Sequence, residues 1–224
     1  MSDLLDAVEI ETAPAPRAAV IWLHGLGADG HDFEPIVPEL GLPSSFPVRF
    51  VFPHAPMRAV TINAGMVMRA WYDVANEGGA RREDEPGVRA SQQAIEALIE
   101  REKQRGLAAG AIVLAGFSQG GAMALHTGLR HPERLAGLMA LSSFLPLPGT
   151  LAAEASPANR DAPVFMAHGT DDPLIPVARA RDSRDRLLAL GYQVEWHEYR
   201  MAHSVCAQEI HDLSAWLHRV LGLA

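Results

Sequence analysis

The sequence predicts an α/β architecture: a mainly parallel central sheet with helices on both faces and no large separate cap domain. Three observations carry this. Short apolar runs recur along the chain, longer helix-like stretches separate them, and glycine- or histidine-bearing turns follow several of the runs. The length, 224 residues, suits a single domain, 1–224, with a continuous core.

Residues 1–16 precede the first apolar run and read as an N-terminal extension or an edge strand. That run, Ala18 to Leu23, ends in His24-Gly25-Leu26-Gly27, and a second, Val48 to Phe52, ends at Pro53-His54. Arg58 to Val74 breaks the alternation and reads as a long loop at the active site, since long connections in compact domains often form lids or walls. Val88 to Arg105 places Val88, Ile95, Leu98 and Ile99 on one helical face and stops at Gly106. The run Ala111 to Ala115 enters Gly116-Phe117-Ser118, and Gln119 to Arg130 reads as the helix behind it. Leu135 to Leu141 leads to Ser142 and Ser143, after which Leu145 to Ala162 forms a second irregular, Pro/Ala-rich stretch. Pro163 to Ala167 ends in His168-Gly169, and Val177 to Leu190 is helical up to Gly191. Gln193 to Tyr199 alternates more, as a strand near a sheet edge does. Ser204 is the expected N-cap of a last helix that aligns Ile210, Leu213, Leu217 and Val220. Chemistry in such sheets collects at the carboxyl edge of the strands.

A net charge of -8 argues against nucleic acid as a partner, because phosphate binding needs a basic face. It equally disfavours docking on anionic lipid. Met1 to Pro16 has no basic-then-apolar signal pattern, and no apolar run approaches the roughly 18 residues of a membrane helix. A cytoplasmic setting without stable membrane insertion is the expectation. The lone Cys206 cannot build an internal disulfide or a cysteine metal cage, and no H-E-x-x-H spacing occurs, so no metal site is expected.

Gly116-Phe117-Ser118-Gln119-Gly120 fits G-x-S-x-G, in which a sharp strand-to-helix turn projects a serine from the sheet edge. The residues two before and two after the serine pass close together, which calls for glycine at both places. The bare pattern is short, and the apolar run before it and the Ala/Leu-rich stretch after it sharpen the signal. The competing reading is a glycine turn with a solvated serine. A serine hydroxyl needs a base, and histidine suits that task because its unperturbed pKa is about 6.5. Of the ten histidines, His203 alone sits in the loop between the last strand and the last helix, at the same edge as Ser118 and after a candidate acid. His126 and His131 read as surface or packing residues. An acid must hold the imidazole in one tautomer. Asp171 and Asp172 both follow the fifth run, and spacing does not separate them. Backbone N–H groups must meet the charge that develops on the attacked carbonyl oxygen. One should belong to Gln119, directly after the serine, and the other to the His24–Gly27 turn. Cys206 as nucleophile is disfavoured, since no second histidine is placed to activate it.

Together these stretches resemble the acyl-protein thioesterase and bacterial carboxylesterase family, the phospholipase/carboxylesterases of the α/β-hydrolase fold. The matching segments are HGLGADGHDF (24–33), FPHAP (52–56), GMVMRAWYD (65–73), GFSQGGAMAL (116–125), HGTDDPLIP (168–176) and the histidine of YRMAHSV (199–205). The resemblance implies Ser118 as nucleophile, His203 as base and Asp172 as acid, with Leu26 and Gln119 donating the oxyanion-hole N–H groups. It implies that Met66 and Trp71 border the acyl groove, and Phe144 is a further candidate for that wall. The Asp29-Gly30 turn looks closer to the bacterial branch, so the expected activity is a carboxylesterase for short to medium acyl chains, with acyl-protein thioesterase or lysophospholipase as alternatives. The resemblance further implies no metal or organic cofactor, a small ester or acyl-thioester substrate, and a monomer or homodimer. A reading from another class is an inactive hydrolase fold serving as a binding module. Its signature would be a missing triad member, and all three are present.

Overall fold

The computed structural model describes residues 4–77 and 80–223. Its centre is a sheet of seven strands: β1 (Ala7–Glu11), β2 (Ala18–Leu23), β3 (Val48–Pro53), β8 (Ile112–Phe117), β9 (Gly137–Leu141), β10 (Val164–Gly169) and β11 (Val194–Tyr199). They lie in the order β1-β3-β2-β8-β9-β10-β11, parallel except for β1, which pairs antiparallel with β3. The N-terminal stretch therefore supplies an edge strand. β11 is the opposite edge, and its residues are all half-buried.

The inner strands are apolar runs because both of their faces are covered. In β2, Ala19, Ile21 and Leu23 point into one core, and Ala18, Val20 and Trp22 into the other. The first core is closed by α1 (Glu85–Gln104), α2 (Gln119–Gly128), α3 (Pro148–Glu154) and α4 (Val177–Ala189). The second is closed by α5 (Ala207–Val220) and a 3-10 turn at Glu34–Leu40. Buried Glu102 of α1 binds Arg49 of β3 at 2.7 Å, and Arg49 reaches Glu11 of β1 at 2.9 Å, which ties the edge strand to the helix layer.

Several segments differ from expectation. Arg58 to Val74 is largely a hairpin, β4 (Met57–Val60) against β5 (Met66–Arg69), and a second hairpin joins β6 (Val74–Glu77) to β7 (Ala80–Glu83). Their strands are four residues long, too short to show period-two patterning. The Pro/Ala-rich stretch folds into α3 and one 3-10 turn. α5 begins after Cys206, not Ser204, and Cys206 makes no side-chain cap. Among the described residues no helix is long and apolar enough to cross a membrane.

Candidate active site

β8 ends in the turn that carries Ser118, whose φ of 55° lies in the left-handed region. A non-glycine residue there costs on the order of 1–3 kcal/mol and persists only where its surroundings impose it. The restraints are visible. Ser118 N–H donates to Leu141 O of β9 at 2.8 Å, and Ser143 Oγ donates to Ser118 O at 2.7 Å. The flanking glycines make the turn sterically possible. A Cβ on Gly116 would stand 2.3 Å from the Gly120 carbonyl carbon, and one on Gly120 would stand 2.1 Å from Leu23 O.

Three side chains from separate loops form one row. His203 Nε2 lies 2.9 Å from Ser118 Oγ, and His203 Nδ1 lies 2.6 Å from Asp172 Oδ2. The carboxylate can only accept, so the proton sits on Nδ1 and the Nε2 lone pair faces the hydroxyl. The other oxygen of Asp172 accepts from Leu174 N–H at 2.8 Å and Ile175 N–H at 2.9 Å. Burial pushes the Asp172 carboxyl up, yet the Ile175 N–H, His203 and the Leu174 N–H outweigh it and hold the group below the usual carboxylate range. Asp171 is exposed and turned away, its N–H donating to Met201 O. The geometry thus separates two acids that spacing left open. Phe117 braces the imidazole, ring centroids 4.8 Å apart, and is itself backed by Phe33, which stacks on Trp22.

Ser118 and His203 open onto a cleft of about 380 Å³. Leu26 and Gln119 line it, and among the described residues neither of their backbone N–H groups has a protein acceptor. The Gln119 side chain is already engaged. Its Oε1 accepts from Trp71 N–H and its Nε2 donates to Tyr72 O, both at 2.8 Å, so it pins the segment after β5 over the elbow.

Of the three residues expected on the acyl wall, only Phe144 lines the cleft. Trp71 is wholly buried, with its indole N–H donating to His24 O at 2.9 Å. Met66 is 64% exposed at the start of β5, outside the cleft. The rest of the wall comes from Ile62, Asn63, Tyr72, Val74, Leu174, Ile175 and Arg179, with Asp32 at its border. The Arg179 guanidinium carbon stands over the Phe144 ring, 3.4 Å from the centroid. The adjacency of Leu174 and Ile175 to Asp172 could have flagged them in the sequence. Nothing local marks Arg179, which reaches the cleft from the first turn of α4. His126 and His131, which the sequence leaves as surface or packing residues, are buried: His126 meets Gln92 and His131 meets Glu96.

The family profile described as phospholipase/carboxylesterase matches residues 6–221. Acyl-protein thioesterase 1 of Gibberella zeae is 40% identical over 213 residues, which cover 91% of this chain and 91% of that protein. Among solved structures, SOBER1 of Arabidopsis thaliana superposes with a TM-score of 0.85 at 30% identity, over 92% of this chain and 99% of that one. Acyl-protein thioesterase 2 of Zea mays gives 0.82 at 28% identity, over 97% and 100% of the two chains. The chain belongs to the phospholipase/carboxylesterase family of α/β-hydrolases.

Proposed function

We propose that this chain is a single-domain serine hydrolase that cleaves acyl thioesters, and oxygen esters alongside them, through Ser118, His203 and Asp172. The carrying observation is the unbroken row from Asp172 Oδ2 through His203 to Ser118 Oγ at the mouth of the cleft. His203 Nε2 takes the hydroxyl proton as Ser118 Oγ bonds to the carbonyl carbon. The carbonyl oxygen becomes an oxyanion and is met by the N–H groups of Leu26 and Gln119. Donors of this kind are each worth about 2.7–4 kcal/mol. The tetrahedral adduct collapses, the C–S or C–O bond breaks, and His203 returns the proton to the leaving thiol or alcohol. Water, deprotonated by His203, then releases the acid from Ser118. Asp172 stays ionised and steadies the imidazolium.

The Asp29-Gly30 turn on its own points to the carboxylesterase. The acyl-protein thioesterase relative, at 40% identity over most of the chain, moves the weight to the thioester. The cleft adds a limit on the acyl group. Its volume of about 380 Å³ is near the low end of small-ligand pockets, roughly 300–1,000 Å³. A short or medium acyl chain matches this volume, and a longer one exceeds it. We infer a cytoplasmic enzyme, monomeric or a homodimer, that needs no cofactor. The test is a matched panel in which one acyl group, from two to sixteen carbons, is presented as thioester, aryl ester and lysophospholipid. Thioesters should show the highest kcat/KM, and Ser118→Ala should abolish turnover of all three. An ester preference would restore the carboxylesterase reading, and an active Ser118→Ala would end the mechanism.

A further inference from the structure

The arc from His24 to Gly30 carries Leu26, and two imidazoles tie it to the loop after β3. Ala55 N–H donates to His24 Nε2 at 3.0 Å, and Gly30 N–H donates to His54 Nδ1 at 3.0 Å. Each loop lends a histidine to the other's main chain. The tautomer of His24 is determined by its neighbours. Its Nδ1 lies 2.7 Å from Gly25 O, which can only accept, so Nδ1 carries the proton and Nε2 is left to receive Ala55 N–H. His54 must likewise keep Nδ1 unprotonated to receive Gly30 N–H. Between these two anchors, Gly27 N–H donates to Arg69 O at 2.9 Å, and the Arg69 guanidinium donates to Ala55 O at 2.9 Å, which closes a ring of contacts around the arc. The arc and the end of β3 touch at main-chain distance, since a Cβ on Gly30 would stand 2.3 Å from Phe52 O.

We propose that His54, with His24 as its counterpart, is a positioning residue: the crossed imidazoles fix the arc so that the Leu26 N–H is aimed at the oxyanion before substrate arrives. The claim rests on the reading that Leu26 N–H serves the reaction at Ser118. Neither imidazole lines the cleft, so neither touches substrate there. The device acts on the transition state because the donor must meet the oxyanion at hydrogen-bond distance, and a displacement of about 1 Å can cost on the order of 100-fold in rate. Loss of the His54 acceptor leaves the buried Gly30 N–H unpaired, and the arc has to move to satisfy it.

The test compares His54→Leu, His54→Asn and His54→Gln. Asparagine places an acceptor where Nδ1 is, whereas glutamine, one methylene longer, offers equal polarity in the wrong place. On an aryl butyrate, His54→Leu and His54→Gln should lose roughly 10- to 100-fold in kcat with KM within about twofold. His54→Asn should recover most of the rate. An alkyl trifluoromethyl ketone, which forms a tetrahedral adduct with the serine, should bind each variant more weakly by the same factor as its kcat loss. His54→Gln keeps the comparison alive if the leucine variant does not fold. Native kcat in His54→Gln, no advantage of Asn over Gln, or unchanged ketone affinity beside a lower kcat would each overturn the clamp. With Ser118→Ala inactive, those results sink the clamp alone. An active Ser118→Ala sinks the underlying reading and the clamp with it.

Discussion

Glu209 gives the sharpest stability test. It is the third residue of α5, wholly buried on the stripe that continues through Leu213, Trp216 and Leu217. Neither carboxyl oxygen has a hydrogen-bond partner of ordinary geometry among the described residues. Burial pushes the group up to about 8 from 4.5, with nearby Asp212 adding and the Cys206 backbone N–H only partly opposing. The folded state therefore holds a proton that the unfolded chain releases. Stability from this group is fully present below the unfolded pKa near 4.5 and is lost as pH rises towards 8. Within that window the loss is about 1.4 kcal/mol per pH unit. Relaxation around the charge and the helix N-terminus, which favours an anion, reduce the total to roughly 2–4 kcal/mol. Glu209→Gln keeps the shape and removes the titration. Urea unfolding followed by far-UV circular dichroism at pH 5, 6, 7 and 8 should show near-equal stability at pH 5 and a growing advantage of the variant towards pH 8. Other titrating groups are common to both proteins and cancel in the difference. Parallel curves for the two proteins would refute the buried neutral acid.

Two further outcomes follow from named contacts. Asp172→Asn should lower kcat by about 10⁴-fold with KM little changed, because an amide N–H facing His203 Nδ1 forces the wrong tautomer; steady-state kinetics on an aryl ester check it, and a loss below tenfold would remove Asp172 from the row. Glu154→Ala should cost about 2–4 kcal/mol in urea unfolding, since Glu154 neutralises the buried Arg130 at 2.7 Å and Arg89 at 2.6 Å; Arg89 and Glu154 hold each other partly at the surface, so an effect under about 0.5 kcal/mol would mean that Arg130 is already solvated.

How much was legible in the chain depended on whether the signal is local. Strands β2, β8, β9 and β10 could be read because burial on both faces leaves a largely apolar run, and β3 because Arg49 alone interrupts its run and is neutralised by Glu102 and Glu11. The elbow could be read because its steric demand falls on residues two positions either side of Ser118. Asp171 and Asp172 differ in a way that only three dimensions express: one turns to solvent and the other accepts two backbone N–H groups beside His203. Trp71 lies in a long apolar loop that reads as substrate wall, whereas in the fold it is buried with its indole N–H consumed by His24 O. The hairpin at Met57–Arg69 was hidden by short strands whose Met57, Met66 and Val67 face solvent. The crossed histidines lie in two recognisable stretches, yet nothing in either stretch shows that each ring serves the other's main chain.

Chemistry and selectivity are built here from different material. The reacting row hangs on contacts that leave no slack: Ser118 is pinned to Leu141 and Ser143, Asp172 to Leu174 and Ile175, and the glycines of the elbow sit closer to backbone than a Cβ allows. The outer cleft is different. Asn63 is exposed, Leu174 is 55% exposed, and Ile62 and Arg179 are half-buried, so exchanges there disturb little packing. Surface substitutions of that kind usually change stability by no more than about 0.5 kcal/mol. One frame can therefore carry the same acyl transfer to different leaving groups by altering the outer wall alone. Exchanging Ile62, Asn63, Leu174 and Arg179, which line the cleft, should shift the ratio of thioester to ester kcat/KM while Ser118, His203 and Asp172 stay as they are, and an unchanged ratio would place substrate choice elsewhere.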